Sequence, residues 1–309
     1  MNSFIIYGAG NRGKWCLDFL RWRNLEDTIY AFCDMRYAEL GSVDGKKVLS
    51  YDEAKVADLP FFISLADEET AGQILERMQN DGCKGYRFDD FYKILGDDQT
   101  VFFREWCAYH HAKNNDKWYD DAEDQSEVAI FWDKDSIFYK LFCELNLDNV
   151  IELACGHGRH VPHYVDQAGT VTLVDICEEN IAICNKRFKD LNNIKYYKNN
   201  GYNLEKLSSD SYTALFTYDS MVHFEMMDVY EYLKDVYRVL INGGKALFHH
   251  SNYSEDYKAD FAHAPHARCF MNKDVFAYLA YRSGFKVLKQ EVIGWHDTKN
   301  LDCITLVEK

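Results

Sequence analysis

The hydrophobic positions fall into short runs, separated by stretches in which apolar residues return every three or four positions. That pattern marks buried strands alternating with amphipathic helices. In the first hundred residues, strands are predicted at Ser3–Tyr7, Ile29–Cys33, Lys47–Leu49, Pro60–Ser64 and Tyr86–Phe88. Helices are predicted up to about Arg21, over Tyr51–Ala57 and over Glu68–Asn80. From Asn149 the alternation resumes, with strands at 150–154, 170–174, 194–197, 213–217, 244–249, 285–290 and 302–308. Helices are predicted at 137–145, 159–166, 178–190, 229–240 and 273–282. Such alternation builds a parallel sheet covered by helices on both faces. The fold class expected is α/β: a seven-stranded sheet preceded by a smaller parallel α/β domain. The divisions expected are 1–97, a linker with lid helices over 98–136, and 137–309.

Two glycine-rich turns follow predicted strands. The first, Gly8-Ala-Gly10-Asn-Arg-Gly13, is a complete G-x-G-x-x-G between a strand and a helix, and the next strand ends at Asp34. Strand, turn, helix, strand and acid in that order make a dinucleotide-type arrangement, in which the acid accepts ribose hydroxyls. Gly8, Gly10, Gly13 and Asp34 are therefore a candidate nucleotide site. Glycines used only for tight helix–strand packing remain the alternative. Tyr7-Gly-Ala-Gly, Phe32-Cys-Asp34 and Gly41…Gly45-Lys-Lys-Val-Leu49 resemble the small Rossmann-like N-terminal domain of sugar O-acyltransferases over roughly residues 1–90. That resemblance implies surface-polysaccharide chemistry.

The second turn lies in Val150-Ile-Glu-Leu-Ala-Cys-Gly-His-Gly-Arg159, an apolar strand with an acid, two glycines and an expected helix. The following strand ends at Asp175. Glycines let backbone approach a ligand closely, and a helix N-terminus offers N–H groups. Glu152, Cys155, Gly156, His157 and Gly158 resemble the first motif of class I S-adenosylmethionine (SAM) methyltransferases, and the resemblance extends over about residues 130–309. It implies a Rossmann-like methyltransferase sheet whose last strand runs antiparallel, and SAM as cofactor. The cofactor set it implies is Glu152, Ala154, Cys155, Gly156, Gly158, Asp175 for the ribose, Ile176 against adenine, Asn200, Gly201 and Tyr202, with Tyr218, Asp219 and Met221 at the methionine end. Tyr237-Arg-Val-Leu-Ile-Asn-Gly-Gly244 matches the family's turn before the fifth strand, a packing device that supports the fold alone. Arg159 is expected either at the cofactor carboxylate or against an acid. Residues 105–136 are expected to close over the cofactor, with Trp132 and Tyr139 as wall residues, or to form a plain amphipathic connector.

Methyl transfer to a hydroxyl needs alignment and a proton acceptor. Three histidines reach the open end of the predicted sheet: His223 after the fourth strand, and His249 and His250 at the tip of the fifth. His223 ranks first as base and His250 second. Because successive strand residues point to opposite faces, at most one of His249 and His250 faces the cleft. His263, His266 and Arg268 lie on an insertion expected to cover the acceptor, and Trp295, His296 and Asp297 on a rim loop. The adjacent pair His110 and His111 points in diverging directions on a helix, which makes a poor metal pair. Asp219 and Glu225 lie near His223 without a recognised metal motif, so no metal is assigned.

Composition narrows the classes further. A net charge of −15 over 309 residues disfavours nucleic acid and anionic membranes as partners. The 10 cysteines include no C-x-x-C pair, and no apolar run is long enough to span a bilayer. The expectation is a cytoplasmic transferase that methylates a small molecule, a sugar or nucleotide-linked sugar of polysaccharide biosynthesis. The alternatives are an NAD(P)-linked oxidoreductase using the N-terminal turn and a SAM-binding regulatory protein. Oligomeric state is not legible.

Overall fold

A computed structural model describes residues 3–113, 119, 123, 128, 131–257 and 265–309. The chain divides into two compact units, Met1–Phe102 and Phe103–Lys309. Trp118 and His263 lie outside the described residues, as does the side chain of His111.

The first unit is a six-stranded sheet in the order β3-β4-β2-β1-β5-β6. Its strands are β1 (Phe4–Tyr7), β2 (Ile29–Cys33), β3 (Ser42–Val43), β4 (Lys46–Leu49), β5 (Phe61–Ile63) and β6 (Gly85–Tyr86). All pairs are parallel except β3 with β4. β1 is central and buried at every position, which is why it reads as an unbroken apolar run rather than an alternation. The helix Tyr51–Val56 starts at Ser50, whose hydroxyl accepts from the Glu53 amide while the Glu53 carboxylate accepts from the Ser50 amide. This reciprocal cap satisfies two helix-terminal donors.

The second unit is a seven-stranded sheet in the order β12-β13-β11-β10-β7-β8-β9. Its strands are β7 (Asn149–Leu153), β8 (Thr170–Asp175), β9 (Ile194–Lys198), β10 (Tyr212–Thr217), β11 (Leu240–Ser251), β12 (Lys286–Trp295) and β13 (Thr298–Glu308). β13 is antiparallel to both neighbours, and the other pairs are parallel. From β7 the chain builds outward through β8 and β9, then crosses back to add β10 on the opposite side of β7. That reversal between β7 and β10 opens a crevice above the carboxyl ends of β7, β8 and β10.

Both faces of this sheet are buried. Val150, Leu173, Phe216 and Leu247 pack with Phe138 and Phe142 on one face. Ile151, Val174, Leu215 and Ala246 pack with Val229, Leu233 and Phe276 on the other. The helix Met226–Val239 supplies Val229, Leu233 and Val236 at helical spacing.

One predicted element is absent. Instead of a helix over 159–166, the chain makes two short 3-10 turns, Val161–His163 and Val165–Gln167. The backbone bonds here run three residues back: Val161 to Gly158, Tyr164 to Val161 and Ala168 to Val165. Pro162 has no amide to continue an α-helical ladder, and the segment before β8 is short. No regular α-helix N-terminus therefore follows this glycine turn.

Candidate functional site

The crevice holds a cavity of about 240 Å³. Its floor is the turn after β7. Ala154 sits at φ +57°, Gly156 at +54° and Gly158 at +78°. Left-handed backbone at a non-glycine residue is strained and is held by its surroundings. Ser220 helps, its hydroxyl donating to the Ala154 carbonyl at 3.2 Å. A side chain at Gly158 would meet the Phe188 ring at 2.5 Å, so that glycine is required by packing. Cys155 and Gly156 line the cavity; Glu152 and Gly158 do not.

Glu152 alternates with Ile151 and Leu153 along β7 and so shares a face with Val150. It is 1% exposed, and one oxygen accepts from the Tyr164 hydroxyl at 2.6 Å. The other has no hydrogen-bond partner among the described residues. Burial pushes its carboxyl up to about 8.

Asp175, at the tip of β8, lines the cavity. Its carboxylate accepts from the Gly156 and Cys177 amides, both at 2.9 Å, and from the Asn180 amide group at 3.1 Å. Burial raises its pKa, and these donors act the other way. Three donors fix the plane of the carboxylate while it retains acceptor capacity for a ligand. Ile176 also lines the cavity. A side chain at Gly201 would meet Ile176 Cδ1 at 2.4 Å and Arg104 Cδ at 2.8 Å, so Gly201 lets these two side chains close on one narrow slot.

Of the neighbouring polar residues, Asn200 is turned into its own loop, accepting from the Tyr202 and Asn203 amides. Asn199 lines the cavity instead, donating to the Tyr232 hydroxyl at 2.6 Å. The Arg104 guanidinium lies over the Tyr202 ring at 4.3 Å, and Met221 is buried in the core. Tyr218 and Asp219 line the cavity. Asp219 pairs with Arg159 at 2.7 Å, so of the two expectations for Arg159 the structure shows the acid.

The segment before β7 contributes a wall, although not through the residues expected. Phe103, Arg104, Cys107, Ala108 and Tyr119 line the cavity. Arg104 makes a two-pronged ion pair with Asp228, 2.8 Å from Nε to Oδ2. Tyr119 stacks on His157 at 3.8 Å and takes a bond from Asn180. Trp132 is not a cavity residue: it bonds His160 at 3.1 Å and stacks on His163. Tyr139 does not line the cavity either.

The three histidines separate clearly. His223 lines the cavity, and its Nδ1 lies 2.7 Å from the Ala267 carbonyl. A carbonyl only accepts, so Nδ1 carries a proton, and in the neutral ring the lone pair is then on Nε2. His249 is fully buried beneath Tyr218, with its ring 4.5 Å from the tyrosine ring. His250 is fully buried on the other face, stacked on Phe276 at 3.8 Å and bonded to Thr305 and the Ser251 carbonyl. Burial drives its pKa down to about 3. His266 and His296 stack on each other, Trp295 pairs with Thr298 across the β12–β13 hairpin, and Asp297 is exposed in its turn; none of the four lines the cavity, nor does Arg268. Among the described residues, no group of three or more His, Cys, Asp or Glu side chains is placed to hold a metal.

Residues 151–248, which contain the turn, Asp175 and His223, match the methyltransferase domain family. The chain carries a methyltransferase domain, and S-adenosylmethionine is its cofactor. No curated protein matches the chain. Similar solved structures include an S-adenosylmethionine-dependent methyltransferase from Mesorhizobium loti, at 16% identity and TM-score 0.46, covering 56% of this chain and 97% of that one. Another from Clostridium acetobutylicum has 14% identity and TM-score 0.48, covering 63% and 99%. A third from Aquifex aeolicus has 14% identity and TM-score 0.47, covering 62% and 96%.

In the first unit, the Gly8–Gly13 turn is arranged differently. A side chain at Gly13 would meet the Gly8 carbonyl at 2.1 Å, whereas one at Gly10 would meet nothing within 4 Å. Asp34 accepts from the Ala9 amide at 2.9 Å and forms an ion pair with Arg36. The Arg36 bonds hold its carboxyl down at about 2. Among the described residues, no helix is long and apolar enough to cross a membrane.

Proposed function

We infer that the enzyme transfers a methyl group to a hydroxyl of a small sugar or nucleotide-linked sugar in the cytoplasm, with His223 as the general base. The observation that carries this reading is His223 itself. It lines the same cavity as Asp175 and Gly156, and its Nδ1–H is committed to Ala267, so in the neutral ring the lone pair is on Nε2. S-adenosylmethionine supplies the methyl on a positively charged sulfur. Asp175 accepts the ribose hydroxyls, Ile176 and Gly201 border the adenine slot with Asn199, and Asp219 with Arg159 borders the methionine end. Cys155 and Ala154 bring backbone close to the cofactor. His223 Nε2 takes the proton of the attacking hydroxyl, a role worth roughly 10²–10⁴-fold. Alignment within the cavity supplies the larger part of the acceleration.

The sugar rests on the N-terminal unit, whose glycine turn and Asp34 resemble sugar O-acyltransferase relatives, and a nucleotide at Gly8, Gly10, Gly13 and Asp34 belongs to the same proposal. The test is to incubate the enzyme with methyl-labelled S-adenosylmethionine and a panel of nucleotide-sugars. Label should enter a sugar, and His223→Ala should lower that rate about 10²-fold or more with little change in cofactor affinity. Label entering only non-sugar acceptors would overturn the acceptor class. A His223→Ala enzyme that keeps its rate would overturn the base.

A further inference from the structure

Two segments hold His223, and both lead to one buried side chain that does not line the cavity. The first is the loop after β10. Asp219 is held there at φ +54°, unusual for a residue with a side chain. Its amide donates to His249 Nδ1 at 3.0 Å, and its carboxylate pairs with Arg159. Ser220 and the short turn Met221–His223 follow directly. The second is the segment 266–269. The Ala267 carbonyl receives His223 Nδ1–H, and the Cys269 amide donates to the Val222 carbonyl at 3.1 Å.

Asp302 on β13 anchors both. One of its oxygens faces His249 Nε2 at 3.1 Å and Arg268 Nη2 at 2.6 Å, and the other accepts from Arg268 Nε at 2.9 Å. Arg268 in turn donates to the His266 carbonyl at 2.8 Å. Asp302 and His249 are fully buried, and Arg268 is 2% exposed. The directions of these bonds are forced. A backbone amide only donates, so His249 Nδ1 bears a lone pair and Nε2 carries the proton that Asp302 accepts. His249 is thereby a link with one permitted tautomer. Burial alone would raise the Asp302 carboxyl, but the His249 and Arg268 bonds outweigh it and leave it at about 2.

We propose that Asp302 is the positioning residue of the methyl-transfer site: through His249 it fixes the Asp219 turn, and through Arg268 it fixes the Ala267 carbonyl, so that together they set the tautomer and direction of His223. This rests on the reading of His223 as the base, and it assigns His249 a supporting role.

The test uses the full chain labelled with ¹⁵N-histidine, in the presence of S-adenosylhomocysteine, with the His223 signals assigned by their loss in His223→Ala. Protonated and unprotonated imidazole nitrogens differ in shift, so the tautomer is read without any acceptor. The wild type should show His223 protonated at Nδ1 and unprotonated at Nε2. In Asp302→Asn, which removes the charge that holds Arg268, this pattern should move to the averaged pattern of a ring exchanging between tautomers. His249→Phe keeps the ring beneath Tyr218 but removes both nitrogens. It should give the same change and serves if Asp302→Asn does not fold. A His223 pattern unchanged in a folded variant overturns the proposal. Turnover retained by His223→Ala would overturn the base reading instead, and would leave the tautomer result standing.

Discussion

Glu152→Gln changes one buried atom and has a consequence that depends on pH. Glu152 is almost wholly enclosed between β7 and Tyr164, with one oxygen bonded to the tyrosine hydroxyl and burial pushing its carboxyl from 4.5 up to about 8. The folded chain therefore keeps this proton in a range where the unfolded chain has lost it. The stabilising contribution is fully present below about pH 4.5 and is lost as pH rises toward 8. Each unit is worth about 1.36 kcal/mol, so the window between the unfolded value and pH 7 corresponds to about 3 kcal/mol. Glutamine is neutral throughout and keeps an acceptor for Tyr164. Its amide nitrogen replaces the oxygen that has no partner among the described residues, at a cost of about 1–3 kcal/mol. The variant should thus lie at or below the wild type in stability at pH 5. It should gain by about 1.4 kcal/mol per pH unit and reach or pass the wild type near pH 7. Urea unfolding at pH 5, 6, 7 and 8, comparing midpoints with slopes held common, measures this. Parallel profiles for the two proteins would refute the reasoning. Because Glu152 does not line the cavity, SAM affinity should stay within a few-fold.

Gly13→Ala should destabilise the first unit by about 3 kcal/mol or more, because its new methyl meets the Gly8 carbonyl, while Gly10→Ala should be nearly neutral by thermal melting. Equal effects at the two positions would contradict the packing role of Gly13. Gly158→Ala should lower stability by roughly 1–3 kcal/mol, since it both clashes with Phe188 and occupies φ +78°; an unchanged melting temperature would count against that geometry. Arg104→Met should be strongly destabilising, by about 3–5 kcal/mol, because it removes the guanidinium that faces the buried Asp228 carboxylate, and Arg104→Met with Asp228→Leu should recover much of that loss in the same melts.

The central strands β1, β7, β8 and β10 of the two sheets are legible in the sequence because they are almost wholly buried and therefore appear as largely apolar runs, and acids follow or end β2 and β8. The helices Glu68–Asn80 and Lys273–Arg282 match their expected bounds, since Asp67 and Asn272 cap them with side-chain oxygens. Residues 159–166 carry an apolar spacing that allows a helix, while Pro162 removes the ladder bond that would sustain one. The cavity floor follows from glycines and an acid whose spacing is local. The wall does not: Arg104 and Asp228 meet across 124 positions, and no local pattern marks either. Asn199 and Asn200 are adjacent and chemically identical, and only the turn after β9 decides which one faces the cavity. Likewise, adjacent His249 and His250 have to separate to opposite faces, but which one joins Asp302 depends on the pairing of β11 with β13.

We propose that the crevice above β7 and β8 binds S-adenosylmethionine through Asp175. Titration calorimetry of S-adenosylmethionine into the wild type and Asp175→Ala tests it most directly. One cofactor should bind per chain. Loss of the carboxylate should weaken binding by roughly 1.5–3 kcal/mol, the range for hydrogen bonds to a charged group. Equal affinity in a folded Asp175→Ala variant would contradict the account.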